Sequence, residues 1–207
     1  MTPRRIDGPQ DGAKIVLAHG AGAPMDSPFL EHFARALAAR GLCVVRFEFP
    51  YMRARREGRR PPPDREPVLL ACWREVIAAE GGGGRVVIGG KSLGGRMASR
   101  VADEVGARGL VCLGYPFHPP GKPERLRVSH LAGLRTPALI LQGTRDPFGN
   151  REEVAAYALS AAIRVHWIED GDHSLKPRAS SGRSEPQNLD EAAAAIAAFV
   201  GGLGGGR

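Results

Sequence analysis

The sequence contains few cysteines, and their spacing does not suggest a disulfide framework. The 207 residues include only Cys43, Cys72 and Cys112, with no CxxC pair. An odd, widely spaced set is typical of reduced thiols in a cytosolic protein. The chain also lacks HExxH and paired Cys/His spacings, so no metal site is predicted. No GxGxxG follows the first apolar run, so we expect no dinucleotide and predict no cofactor.

Long apolar segments are absent as well. No apolar run reaches the roughly 18 residues that a membrane span needs, so no membrane partner is predicted. The N-terminal stretch MTPRRIDGPQDGAK has no apolar core, unlike a secretory signal peptide, and we expect a cytoplasmic protein. Hydrophobic residues make up 43% of the chain and charged residues 25%, values that exclude a wholly disordered polymer.

Short apolar runs that alternate with helical patterns are the main structural signal. Six runs rich in Val, Ile and Leu read as strands, at 14–18, 42–49, 85–89, 110–114, 138–142 and 164–168. Helical patterns separate them, at 28–40, 64–80, 94–105, 151–161 and 189–200. This alternation predicts an α/β fold with about six mainly parallel strands and helices on both faces.

The segments outside these elements define the predicted domain organisation. We expect an N-terminal extension over 1–13, one domain over 14–200 and a flexible glycine-rich tail over 201–207. Prolines argue against a helix or central strand in 53–63. The connection over 115–137 is too short for a large cap domain, so the pocket should be shallow and open.

The strongest functional signal is Gly90-Lys91-Ser92-Leu93-Gly94, which lies between a predicted strand and a predicted helix. A GxSxG sequence in this setting is typical of a sharp turn that exposes a nucleophilic serine. Flanking glycines give the turn room, and the helix N-terminus favours developing negative charge. The alternative is an ordinary glycine-rich turn with a serine N-cap.

Two further polar residues follow later strands. Asp146 comes after the strand at 138–142 and precedes a proline, and His173 lies in a Gly/Asp turn after the last strand. Taken singly, they could be an ordinary turn aspartate and a surface-loop histidine. Ligands bind at the carboxyl ends of parallel strands, so Ser92, Asp146 and His173 should meet there. A weak hydroxyl nucleophile needs a base, and the base needs an orienting carboxylate, which predicts a catalytic triad.

An oxyanion hole is predicted beside Ser92. The turn His19-Gly20-Ala21-Gly22 follows the first predicted strand, and Ala21 is the favoured backbone donor there. The N–H of Leu93 would be the second donor. We expect His19 to shape this loop rather than act as a base, because one base suffices.

Five sequence blocks resemble a known family, the small intracellular α/β-hydrolase-like proteins. The blocks are HGAGAPMDSPF, GGKSLGGRMAS, GYPFHPPGKPERLR, LQGTRDPFG and GDHSLKP. That group includes a testis-expressed protein and the α/β domain of an NSL acetyltransferase-complex subunit, and it is related to the dienelactone-hydrolase group, which has a cysteine where Ser92 stands. The resemblance spans roughly residues 14–200 and implies the α/β-hydrolase fold, with nucleophile Ser92, acid Asp146 and base His173. It implies no particular substrate.

Substrate contacts are less clearly marked in the sequence. Tyr51, Met52, Phe117 and Phe148 follow strands and could line an acyl pocket or equally close the top of the core. Met25 is a further candidate for substrate contact. Three post-strand loops, 53–60, 122–127 and 174–185, are basic in a chain of net charge +7. This basic rim, which includes Arg55 and Arg56, would steer an anionic substrate or simply be solvated. The arginine-rich loop lacks interleaved aromatics, so no nucleic-acid partner is predicted.

These patterns predict a serine hydrolase that cleaves esters or related acyl bonds through an acyl-enzyme. The partner would be a small ester or acyl compound, neutral or anionic, and the sequence does not decide between monomer and homodimer. The alternative is a protein-interaction domain that retains the triad as a relic.

Overall fold

A seven-stranded, mostly parallel sheet forms the centre of the protein, whose computed structural model describes residues 2–205. The strands are β1 (Arg4–Asp7), β2 (Lys14–Ala18), β3 (Cys43–Phe47), β4 (Val86–Lys91), β5 (Gly109–Leu113), β6 (Ala138–Gly143) and β7 (Ile163–Ile168). Their order is β1-β3-β2-β4-β5-β6-β7, and only β1 runs antiparallel to its neighbour. All six predicted strands are present, so the α/β class with a mainly parallel sheet is confirmed.

Helices cover both faces of the sheet. They are α1 (Pro28–Ala38), α2 (Pro50–Arg56), α3 (Glu66–Ala79), α4 (Leu93–Val101), α5 (Arg151–Ala155) and α6 (Glu185–Gly202). One core lies between the sheet and α1 with α6, around Phe33 and Ile196. The other lies under α3 and α4, around Trp73 and Met97. Every residue of β5 is buried, as expected for a strand covered on both faces.

The strand β1 lies inside the segment predicted as an N-terminal extension. It pairs with β3 from Arg4 opposite Phe47 to Asp7 opposite Val44. The sheet therefore has seven strands rather than the six expected. This edge strand carries two arginines and an aspartate, and Ile6 is 52% exposed, so it lacks the apolar run that marks the buried strands.

Two helical segments also differ from expectation. The helix α2 includes Arg53 and Arg56, in a stretch where prolines were expected to prevent helix; Pro50 occupies the first turn, where no donor is needed, and 61–63 lie beyond the end. The helix α6 begins at Glu185 after a Ser184 capping box and continues to Gly202, with a 3₁₀ turn at Leu203–Gly205. The predicted flexible tail is thus helical over 201–205, and residues 206–207, like Met1, lie outside the described residues.

No large insertion between β5 and β6 covers the carboxyl edge of the sheet. The connection from β5 to β6 contains no helix or strand, which confirms the prediction that a large cap domain is absent there. Within residues 2–205, none of the helices is long and apolar enough to cross a membrane.

Candidate active site

Ser92 occupies a strained turn between β4 and α4. Its φ is +50° and its ψ is −110°, a backbone conformation that residues other than glycine rarely adopt. A Cβ at Gly90 would lie 2.1 Å from the carbonyl oxygen of Ala18, and one at Gly94 would lie 2.5 Å from the same atom. The turn therefore requires glycine at both flanking positions. The N–H of Ser92 donates to the carbonyl of Leu113 at 3.0 Å, which fixes the turn against β5.

The packing of this turn gives the first testable prediction. Gly90→Ala should lower the free energy of unfolding by about 3 kcal/mol, because the new methyl would clash with the backbone of β2 at a φ of +150°. Urea unfolding measures the loss. Gly133→Ala is the matched control, because a Cβ there meets no atom within 4 Å. Equal stability of the two variants would contradict the steric requirement at Gly90.

The side chains of Ser92, His173 and Asp146 form a hydrogen-bonded series at the carboxyl ends of β4, β7 and β6. The Nε2 of His173 lies 2.9 Å from the Oγ of Ser92, and its Nδ1 lies 2.8 Å from the Oδ2 of Asp146. An ionised carboxylate only accepts hydrogen bonds, so Nδ1 carries the proton and Nε2 is left as the acceptor for the serine hydroxyl. The arrangement can move a proton from Ser92 to His173.

The carboxylate of Asp146 is fully buried and held by two further donors. The Nε2 of Gln142 donates to Oδ2 at 3.0 Å, and the N–H of Phe148 donates to Oδ1 at 2.9 Å. The Gln142 amide also donates to the carbonyls of Tyr115 and Gly149. Sequence reasoning missed Gln142, although a glutamine in the otherwise apolar run ALILQG is a recognisable signal for a buried polar contact.

The environment of His173 favours the neutral imidazole. Burial lowers the pKa of His173 below its usual value of 6.5, and the Lys91 ammonium lowers it further, whereas the hydrogen bond that Nδ1 donates to Asp146 acts to raise it. The ring of Phe148 stacks on the imidazole with 4.1 Å between ring centroids. A lowered pKa leaves His173 unprotonated at neutral pH, as a general base requires.

The predicted oxyanion donors lie on the loop after β2 and at the first residue of α4. A Cβ at Gly20 would lie 3.8 Å from the Cβ of Ser92, so this loop passes directly beside the serine. Leu93 begins α4, where an N–H has no partner within the helix. Within residues 2–205, neither the Ala21 N–H nor the Leu93 N–H donates to another group. Both are available to an oxyanion.

The buried ring of His19 shapes the same loop. Its Nδ1 contacts the carbonyl oxygen of Gly20 at 2.6 Å, and its Nε2 accepts from the N–H of Phe49 at 3.1 Å. The hydroxyl of Tyr51 donates to the Gly20 carbonyl as well, at 3.1 Å. Both ring nitrogens of His19 are occupied by backbone groups, so the residue is placed to hold the loop rather than to exchange protons.

A pocket of about 740 Å³ opens beside Ser92 and His173. Its wall comes mainly from the loop after β2 and from the first turns of α1 and α6. The lining residues are Gly20, Ala21, Gly22, Ala23, Ser27, Pro28, Phe29, Leu30, His32, Lys91, Ser92, Phe148, His173, Ser174, Glu185, Pro186 and Leu189. Of the side chains predicted to contact substrate, Phe148 is among them.

Three further apolar candidates lie outside this lining. Tyr51 is 2% exposed and its hydroxyl is used by the loop after β2. Phe117 is fully buried and packs on Tyr115 with 4.8 Å between ring centroids. Met25 is also buried, and its carbonyl accepts from Arg46. All three are buried, which for Tyr51 and Phe117 was the open alternative.

Several arginines of the basic rim have partners within the protein, and Arg55 and Arg56 do not line the pocket. Arg55 donates to the carbonyls of Pro61 and Ala21. Arg56 pairs with the buried Glu48 and with Asp26, each at 2.6 Å. Arg178 pairs with Asp170 at 2.5 Å. These partners reduce the positive charge that the rim presents, and steering by it stays a prediction.

The strand order, the sharp turn at Ser92 and the chain order serine, aspartate, histidine define an α/β-hydrolase arrangement. The chain belongs to the α/β hydrolase domain family, whose model matches residues 11–201.

Solved structures share this fold at low sequence identity. The esterase domain of a Rhodothermus marinus protein is 18% identical, with a TM-score of 0.68, over 96% of this chain and 91% of that one. A lidless α/β serine hydrolase from Xanthomonas campestris is 19% identical, with a TM-score of 0.66, over 95% and 87%. A monoacylglycerol lipase from Paleococcus ferrophilus is 15% identical, with a TM-score of 0.70, over 98% and 99%.

Proposed function

We propose that this protein is a serine hydrolase that cleaves ester or related acyl bonds through an acyl-enzyme on Ser92. The observation that carries the proposal is the continuous series from Ser92 Oγ to His173 Nε2 at 2.9 Å and from His173 Nδ1 to Asp146 at 2.8 Å. Family membership supports hydrolysis, and the esterase and lipase names of the neighbouring structures agree with an acyl substrate.

The proposed reaction has two acyl transfers. Ser92 Oγ attacks the carbonyl carbon while His173 takes the hydroxyl proton, and the N–H groups of Ala21 and Leu93 stabilise the oxyanion. His173 then gives the proton to the leaving alkoxide as the ester bond breaks. Water, activated by His173, attacks the acyl-enzyme, and the free acid and Ser92 hydroxyl are restored. Asp146 keeps the imidazole in the required tautomer throughout.

The pocket supports a small ester with an apolar part. Apolar side chains dominate the wall beside Ser92, among them Phe29, Leu30, Phe148 and Leu189. The uncovered sheet edge gives such a substrate direct access from solvent. We keep the narrower relationship to the small intracellular α/β-hydrolase-like group, and the cytoplasmic location, as predictions that rest on the sequence.

Covalent labelling tests the proposed function. A fluorophosphonate should form a stable adduct with the native protein, because His173 and the two backbone N–H groups activate Ser92 for attack on phosphorus as they do on carbon. Peptide mapping should locate the adduct on Ser92, and short-chain alkyl esters should be turned over. An interaction domain with a relic triad would give neither adduct nor turnover. That result would contradict hydrolase activity.

A further inference from the structure

A single lysine lies on the wall of the pocket, one residue before the nucleophile. Lys91 contributes to the lining, and its Nζ donates a hydrogen bond to the carbonyl oxygen of His173. The same ammonium lies 5.3 Å from the centroid of the Phe29 ring. The ammonium therefore lies beside two residues of the pocket lining, His173 and Phe29. A Cβ at Gly114 would lie 2.8 Å from Nζ, so a glycine there leaves room for the lysine.

This ammonium has no carboxylate partner. Among the ion pairs of residues 2–205, none involves Lys91, whereas Arg56, Arg178 and Arg183 of the rim each pair with an acidic side chain. Asp146 acts on it only at a distance, because its oxygens serve His173, Gln142 and Phe148. A desolvated charge without a counter-ion is costly, and an anion brought by a ligand would offset that cost.

No other side chain of the pocket lining is placed to bind an anion as the Lys91 ammonium is. Most of the lining side chains are apolar or glycine, and the acidic one, Glu185, has its own cation in Lys176 at 3.7 Å. His32, at the pocket edge, lies 3.1 Å from Asp190. In apolar pockets a few placed polar groups decide which ligand fits. Lys91 is such a group, and it directly precedes Ser92 in the chain.

We propose that the substrate of this site carries a carboxylate a few carbon atoms from the scissile carbonyl, and that Lys91 binds it. The inference rests on the proposed function and narrows its substrate to a half-ester or a related acyl acid. The anion preference expected from the basic rim would then come from inside the pocket. The hydrogen bond to the His173 carbonyl uses one of the three ammonium protons, which leaves two for the substrate carboxylate.

The test compares two substrates of similar shape, one with a charged carboxylate and one with an apolar group in its place. Monoethyl glutarate carries the carboxylate, and in its neutral isostere an isopropyl group replaces it. Ethanol release gives kcat/KM for each. Lys91→Met should shift the ratio of the two values toward the neutral ester by about 10- to 100-fold, the worth of a hydrogen bond to a charged group. Half-esters of succinate and adipate, with acyl chains one carbon atom shorter and longer, then show which distance between carboxylate and scissile carbonyl the site prefers. Esters that carry the carboxylate on the alcohol side test whether it binds in the opposite orientation.

The native protein gives an independent readout. Burial lowers the pKa of Lys91 to about 8, while the charges of Asp146 and Asp172 act to raise it. The ammonium is present below this value and is lost above it, so the preference for monoethyl glutarate should fall as the pH rises from 7 to 9.5. His173, Asp146 and Asp172 also face Lys91, but their effects on catalysis are common to both esters and cancel in the ratio.

Two variants separate substrate binding from a purely positioning role. Lys91→Gln keeps a donor for the His173 carbonyl without the charge, and it should also lose the preference. Arg125→Gln removes the same charge from the rim, outside the pocket lining, and should leave the ratio unchanged. If Lys91→Met lowers turnover of both esters equally and the native ratio does not change with pH, Lys91 only positions His173 and the proposal is overturned.

Binding without turnover keeps this test distinct from that of the proposed function. Calorimetry should show glutarate binding to Ser92→Ala, and binding at least tenfold weaker when Lys91→Met is added. Absent labelling and absent ethanol release would contradict the hydrolase itself. Labelling and turnover with no effect of Lys91 on glutarate binding would contradict only the carboxylate site.

Discussion

Ser92→Ala is expected to abolish fluorophosphonate labelling and to reduce ester turnover by about 10⁴-fold or more, as loss of a triad nucleophile does. The fold should be unaffected. The Ser92 side chain makes no capping hydrogen bond to α4, and alanine meets the same backbone strain at φ +50°. The free energy of unfolding should therefore change by no more than about 0.5 kcal/mol.

The measurements are intact-protein mass spectrometry after labelling, kcat/KM for a short-chain ester, and urea unfolding. Ser180→Ala is the matched control, because Ser180 is exposed and lies outside the pocket lining. The control should label and turn over ester like the native protein. An adduct that persists in Ser92→Ala would show that the nucleophile is another residue.

Signals that are local in the sequence predicted the fold and the three central residues. Ser92 and Asp146 follow the buried strands β4 and β6, and His173 follows the partly buried edge strand β7. Parallel strands bring these carboxyl ends to one edge. The glycines around Ser92 are local too, because the turn itself demands them. The structure brings these side chains within hydrogen-bond distance of one another.

The pocket wall could not be predicted in the same way, because it depends on contacts between distant segments. Phe29 and Leu189 come from the first turns of α1 and α6, which meet only after both helices pack on one face of the sheet. Tyr51 follows a strand as the prediction required, yet the helix α2 turns its hydroxyl toward backbone carbonyls. Position after a strand fixes the sheet edge, whereas the direction of a side chain depends on packing.

Ion pairing explains why the sequence overstated the positive charge that the basic rim presents. The sequence shows where arginines occur, but it does not show that Arg46 and Arg56 pair with carboxylates from other segments, or that Arg178 pairs with Asp170 within its own loop. The edge strand β1 was not predicted for the same reason, because its charged residues form ion pairs. Asp7 pairs with Arg46, and Arg4 pairs with Glu80. Polar strands and paired charges carry no hydrophobic period that a sequence pattern can detect.

His173→Ala is expected to reduce kcat/KM by about 10³- to 10⁶-fold, because no other side chain contacts Ser92 Oγ within the described residues. His166→Ala is the control histidine, since it pairs with Glu191 of α6 and does not line the pocket. His19→Ala should act through the loop after β2. A folded His19→Ala that loses more activity than His173→Ala would show that the base is assigned wrongly.

The pH profile adds a test of the base. A general base must be unprotonated, so kcat/KM should fall as the pH drops through the pKa of His173. Burial holds that pKa below 6.5, so activity should persist to lower pH than an exposed histidine would allow. An acid limb with its midpoint above 6.5 would contradict this environment for the imidazole.

Asp146→Asn should lower kcat/KM by about 10⁴-fold, although it changes only one charged group. The asparagine oxygen can still accept from the Phe148 N–H, which leaves its amide nitrogen facing His173 Nδ1. That nitrogen donates, so the imidazole proton moves to Nε2 and the acceptor for the Ser92 hydroxyl is lost. The same amide meets the Gln142 donor, so the variant should also be less stable to urea. Near-native turnover in a folded Asp146→Asn would show that the carboxylate does not orient the base.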